Sequence, residues 1–178
     1  VAAAVAPPLK ITTIDRYLLL ARQAQIAPAV CINKVDQAGI DLETGAGLNG
    51  DGGPEANHVL EVKRTLEERG VKVLLASAAA GQGLDGLRAL LQGKTSVFAG
   101  PSGVGKTSLL KGICPDLQSK TLSISSATGK GRHSTTFSSL IDIGGGYVAD
   151  LPGLRAVGFW NLDEDTVKSE FEDIEEIA

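Results

Sequence analysis

A chain of 178 residues is long enough for one domain with a full hydrophobic core and hardly long enough for two. With 43% hydrophobic and 21% charged residues it is neither disordered nor fibrous, and no apolar run approaches the roughly 20 residues of a membrane-crossing helix. The net charge of −4 divides into −7 over residues 161–178 and +3 elsewhere, so no strongly basic face marks a nucleic-acid footprint.

Short apolar runs alternate with amphipathic stretches, the pattern of a parallel α/β fold. Val1–Val5 reads as a buried strand and not as a signal peptide, because no basic flank precedes it and Pro7-Pro8 follow. The lack of any Met, even at position 1, suggests an excerpt of a longer protein. Thr12 or Thr13 can cap a helix that carries Ile14, Tyr17, Leu18 and Ala21 on one side. Ala29–Ile32 is a second strand ending on Asn33, and Cys31 within it reads as a small buried thiol. With Cys114 the only other cysteine, neither a metal cluster nor a disulfide framework is expected, which fits a reducing, cytoplasm-like compartment.

The glycine-rich residues 39–57 predict an exposed, mobile loop. Asn57 is placed to cap a helix over His58–Arg69, with Val59, Val62 and Leu66 at helical spacing and Gly70 as its stop. Val71–Ala76 is a third strand, Leu84–Leu91 a short helix and Ser96–Ala99 a fourth strand, leading into a helix from Gly105 to about Lys111. Thr121–Ser139 is polar and predicts a segment that is mobile without ligand. Leu140–Ile143 and Tyr147–Ala149, joined by three glycines, predict a hairpin. The acidic C-terminal segment reads as a solvated helix.

Four motifs fall at the ends of these strands, where ligands bind in α/β folds. The most specific is Gly100-Pro101-Ser102-Gly103-Val104-Gly105-Lys106-Thr107, followed by Ser108, a full match to the phosphate-binding loop between a strand and a helix. Glycine lets backbone N–H groups converge on phosphate, and the helix N-terminus adds about half a positive charge. Lys106 would reach the β- and γ-phosphates and act in catalysis, and the Thr107 hydroxyl would bind Mg²⁺. Asn33-Lys34-Val35-Asp36 follows the second strand. A carboxylate there can accept from N1–H and the exocyclic amine of guanine, a donor pair that adenine lacks. The Lys34 stem can lie over the purine, and Asn33 can tie this loop to the phosphate loop. Ser77-Ala78 follows the third strand, with the Ala78 N–H a donor for guanine O6. Asp150-Leu151-Pro152-Gly153 ends the hairpin: Asp150 would hold Mg²⁺ through water, and the Gly153 N–H would sense the γ-phosphate. Thr135 or Thr136 would complete the Mg²⁺ shell in the triphosphate state.

The base-reading motif precedes the phosphate loop, the reverse of the usual GTPase order. In that order the chain resembles the circularly permuted GTPases, and in particular the RsgA/YjeQ family of small-ribosomal-subunit assembly factors. Ile14–Leu18, Gly131–Thr136, Asp150–Arg155, Gly158–Leu162 and Phe171–Asp173 all look like that family's signatures. The resemblance covers nearly the whole chain, with the glycine-rich residues 39–57 the main divergent part. It implies a three-layer, circularly permuted P-loop NTPase fold with a mostly parallel sheet, spanning residues 1–178 as one GTPase domain. Slow, Mg²⁺-dependent GTP hydrolysis is implied, stimulated by a partner, the small ribosomal subunit with its rRNA, and so is a monomer in the cytoplasm or an organelle, away from membranes. The family's OB-fold and Zn²⁺-binding domains have no counterpart in this sequence, and Ser134 stands where the family often has Thr. Leu154 occupies the place of a water-orienting Gln, and the family suggests His133 for positioning the attacking water. The competing readings are a guanylate-kinase-like phosphotransferase, which would carry no Asn33–Asp36 motif upstream, and a nucleotide-gated RNA- or ribosome-binding module with incidental hydrolysis.

Overall fold

The computed structural model describes residues 2, 3, 5–116, 121–123 and 139–150. Among the described residues, seven strands and four α-helices follow one another in the order β1 (Ala2–Ala3), α1 (Ile11–Gln23), β2 (Ala29–Asn33), α2 (Gly53–Glu68), β3 (Lys72–Leu75), α3 (Leu84–Leu91), β4 (Thr95–Val97), α4 (Lys106–Ile113), β5 (Thr121–Ser123), β6 (Ser139–Asp142) and β7 (Tyr147–Asp150). A 3-10 turn, Val35–Ala38, follows β2.

The strands form two sheets, β1-β2-β3 and β4-β7-β6-β5. The first is wholly parallel, with Val30 opposite Val73 and Ala2 opposite Ile32. In the second, β4 runs parallel to β7, with Ser96 opposite Val148, while β5-β6 and β6-β7 are antiparallel. Parallel pairs need crossovers, and α2 supplies the one between β2 and β3. The expected hairpin is present as β6-β7.

Both faces of β2 are buried, as in a strand covered on each side by helices. Val30 and Ile32 point into one core, packed with Ile14 and Leu18 of α1, Val59, Val62 and Leu66 of α2, and Val73 of β3. Cys31 points the other way, into a second core built from Leu84, Leu87 and Leu91 of α3, Leu109, Leu110 and Ile113 of α4, and Ile141 and Val148 of the hairpin. The alternation of side chains along one strand thus separates the two cores.

Helix α2 begins at Gly53, well before the expected cap at Asn57. Pro54 in the first turn lacks an N–H that would be orphaned there anyway, Glu55 favours the positive end of the helix dipole, and fully buried Ala56 extends the apolar stripe backward. The glycine-rich segment is not a simple exposed loop either. Ile40 is 1% exposed, and Ile40 N–H donates to Val35 O at 3.1 Å. Asp41 Oδ1 accepts from the N–H groups of Glu43 (2.9 Å) and Thr44 (3.3 Å). A Cβ on Gly47 would lie 2.5 Å from Gly39 O, so glycine there permits two backbone strands of the loop to touch. Beyond the described residues lie most of the polar stretch 121–139 and the acidic segment. Among the described residues no helix is long and apolar enough to cross a membrane.

Candidate nucleotide site

Strands β2, β3 and β4 each end in one of the motifs. At the end of β2, Asn33 is 1% exposed, and Lys34 takes a left-handed conformation (φ 64°) that starts the 3-10 turn. Within this turn Val35 is fully buried while Asp36 is exposed, so packing one side chain presents the next to solvent. After β3, Ser77 is fully buried and pairs with Gln82 in an isolated antiparallel bridge. After β4, the phosphate loop turns through Gly100 (φ 149°), Gly103 (φ 82°) and Gly105 (φ 93°) into α4. Lys106 is the first helical residue, with Thr107 exposed beside it.

Asn33 joins the three loops. Its Nδ2 donates to Val104 O in the phosphate loop at 2.9 Å, and its Oδ1 accepts from Ala78 N–H at 3.1 Å. A buried amide with both ends satisfied fixes the loops around it. Close approach to Gly105 is part of the arrangement, since a Cβ there would sit 2.3 Å from Asn33 Nδ2. Lys34 Nζ adds a second link, donating to Ala6 O and Gly103 O, each at 2.6 Å. The Ser77 hydroxyl donates to Asp36 Oδ1 at 2.5 Å and accepts from Ala80 N–H at 3.1 Å. Lys106 Nζ donates to Gly100 O and Pro101 O, at 2.7 and 2.8 Å.

The structure therefore brings together Asn33, Lys34, Asp36, Ser77, Ala78 and the loop Gly100–Ser108. One expectation changes in detail: the Ala78 N–H, read from the sequence as a donor for a purine oxygen, is engaged by Asn33. Asp150 is the last residue of β7, beside the β4 edge that leads into the phosphate loop. His133, Thr135, Thr136 and Gly153 lie outside the described residues. Asp41 and Gln82 escaped the sequence reading. Gln82 Nε2 donates to Asp41 Oδ1 at 2.8 Å, and Gln82 Oε1 accepts from Leu42 N–H at 3.1 Å. The turn chemistry of Asp41 is a visible signal, but its partner across 41 residues is not.

A family model described as RsgA GTPase matches residues 1–160. The chain belongs to the RsgA GTPase family. It is 38% identical over 168 residues to the small ribosomal subunit biogenesis GTPase RsgA of Actinobacillus succinogenes, covering 94% of this chain and 44% of that protein. The Bacillus velezensis protein of the same name is 36% identical over 175 residues, covering 98% of this chain and 55% of its own length. Among solved structures, YjeQ from Thermotoga maritima matches 97% of this chain and 53% of its own, with a TM-score of 0.67 at 28% identity. The chain thus spans about half the length of the RsgA proteins it matches. Membership gives the fold its name, a circularly permuted P-loop arrangement, and removes the support for a guanylate-kinase-like enzyme.

Proposed function

We propose that residues 1–178 form one GTPase domain that binds guanine nucleotides and hydrolyses GTP to GDP and phosphate, within a cytoplasmic factor that acts in assembly of the small ribosomal subunit. The observation that carries this reading is Asn33, which hydrogen-bonds the phosphate loop with one end of its amide and the Ser77-Ala78 loop with the other. A base-reading carboxylate and a phosphate cradle are thereby held as parts of one site.

In this reading exposed Asp36 accepts from N1–H and the 2-amine of guanine, with the Lys34 stem against the ring. The loop from Gly100 to Ser108 wraps the phosphates. Lys106 exchanges two backbone carbonyls for phosphate oxygens, a charge-assisted contact that neutralises charge developing in the transition state. The hydroxyl of Thr107, in the first turn of α4, and the carboxylate of Asp150, the last residue of β7, would supply hard oxygen donors, which suits Mg²⁺. Thr135 or Thr136 completes that set, Gly153 senses the γ-phosphate, and Mg²⁺ supplies charge neutralisation at the phosphates. His133 positions the attacking water, since Leu154 can neither orient nor deprotonate it. Hydrolysis by the monomeric domain alone is slow and is accelerated by the small subunit and its rRNA.

Titration of the chain with GDP, GTP and ATP, with and without Mg²⁺, tests the binding. Guanine nucleotides are expected to bind and ATP is not; tight ATP binding overturns the reading. Asp36→Asn is expected to shift preference from GTP toward XTP, because an amide donor then faces the xanthine 2-oxo group. A His133→Ala variant that hydrolyses GTP as fast as wild type removes the catalytic role of His133 alone.

A further inference from the structure

Asp36 stands in a closed ring of bonds that passes through the glycine-rich loop. From its carboxylate the ring runs through the hydroxyl of Ser77. Ser77 and Gln82 then exchange two backbone hydrogen bonds, N–H to O in both directions, each 3.0 Å. The Gln82 side chain reaches Asp41 and Leu42, and the covalent chain returns through Gly39, whose N–H donates to Asp36 O at 3.1 Å.

The Gln82 amide can lie only one way round here. Nε2 faces a carboxylate and Oε1 faces an N–H; turned over, it would set oxygen against oxygen and donor against donor. Asp41 Oδ1 gathers three donors, from Glu43, Thr44 and Gln82, and the two backbone donors hold its carboxyl below the usual carboxylate range. Glycine is built into the same closure. A Cβ on Gly83 would lie 2.3 Å from Leu75 O and 3.1 Å from Leu42 Cδ1, so glycine there lets the Ser77–Gly83 turn close against the loop that carries Leu42.

We infer that Gln82 and Asp41 are positioning residues for guanine recognition: they join the glycine-rich loop to the Ser77 turn and so fix the angle at which Asp36 meets the base. The inference rests on the guanine reading above and adds that base discrimination depends on two side chains that touch no nucleotide. Reading guanine requires two carboxylate oxygens to meet two donors at once, so a small rotation of Asp36 forfeits one of the pair. Inosine diphosphate, which has N1–H but no 2-amine, detects that loss directly.

The experiment compares GDP and IDP affinities of wild type, Gln82→Leu, Asp41→Ala and Asp41→Asn, using the full 178-residue chain with folding checked by circular dichroism. Wild type is expected to prefer GDP, and the preference should narrow about fivefold in Gln82→Leu and in Asp41→Ala, the effect of one hydrogen bond. Asp41→Asn keeps an oxygen acceptor for all three donors and should keep the preference. Should Gln82→Leu fail to fold, Gln82→Glu sets a carboxylate against Asp41 and is expected to narrow the preference as well. Parallel loss of GDP and IDP affinity, or an unchanged ratio in folded Gln82 and Asp41→Ala variants, overturns the inference while leaving the guanine reading intact. Wild type that binds ATP as well as GDP overturns both.

Discussion

Asn33 holds the site together because it is buried where three loops converge. Gly105, a position without a side chain, lies against it. Gly105→Ala would place a methyl group 2.3 Å from Asn33 Nδ2, at a φ of 93° that L-residues rarely adopt. Backbone strain of this kind costs about 1–3 kcal/mol. The expected result is a drop in melting temperature together with a large loss of GDP affinity; a variant that binds GDP normally would mean that the two loops separate freely. A second residue carries a pH signature. Burial pushes the Cys31 thiol from its ordinary 9.0 up to about 11. Its folded form therefore stays protonated where the unfolded form ionises, so the stability contributed by the neutral thiol is full below pH 9 and is lost as pH rises toward 11. Denaturation midpoints measured across that range should fall more steeply for wild type than for Cys31→Ala, the difference isolating this group from half-buried Tyr17, whose hydroxyl is also raised.

Helix α2 marks the boundary of what local sequence conveys. Val59, Val62 and Leu66 are visible as a stripe at helical spacing, and all are buried against the β1-β2-β3 sheet. Helix α3 is likewise legible to the residue, since an apolar Leu-x-x-Leu-x-x-x-Leu pattern sits between a turn and a gap. The first turn of α2 is not, because Gly52, Gly53 and Pro54 together signal a loop, and only the burial of Ala56 against its neighbours reverses that signal. For the same reason the glycine-rich loop looks mobile from composition: its closeness comes from backbone touching backbone, which leaves no apolar pattern. The four motifs were legible as sequence. Their connection through Asn33 and Val104, 71 residues apart, is a tertiary fact. Leu66 is fully buried, so Leu66→Ala is expected to lower unfolding free energy by about 2–5 kcal/mol in a denaturant titration. Leu66 belongs to the core cluster and not to the motif loops, so the folded fraction should retain its affinity for GDP.

At the scale of the molecule, base and phosphate elements belong to different sheets. Asn33, Asp36 and Ser77 hang from the ends of β2 and β3; Gly100–Thr107 hangs from β4. The reversed motif order costs this arrangement nothing, since parallel strands deliver their ends to one edge whichever enters the chain first. Two cores meet across β2; among the described residues Asn33 and Lys34 hydrogen-bond from one half-site to the other, while Cys31 and Ala76 pack with Leu109, Ile141 and Val148 in a shared core.

A nucleotide is then a bivalent ligand. Its base and its phosphates each engage a separate hook, and the covalent link between them raises the local concentration of the second hook once the first is held. Guanosine and inorganic pyrophosphate, offered together as separate molecules, are expected to raise the melting temperature far less than the same concentration of GDP. Equal shifts would show that the halves act independently. If the shifts differ as expected, the nucleoside diphosphate is itself a clasp, reinforcing a seam that the protein alone closes with a shared core and the hydrogen bonds of Asn33 and Lys34.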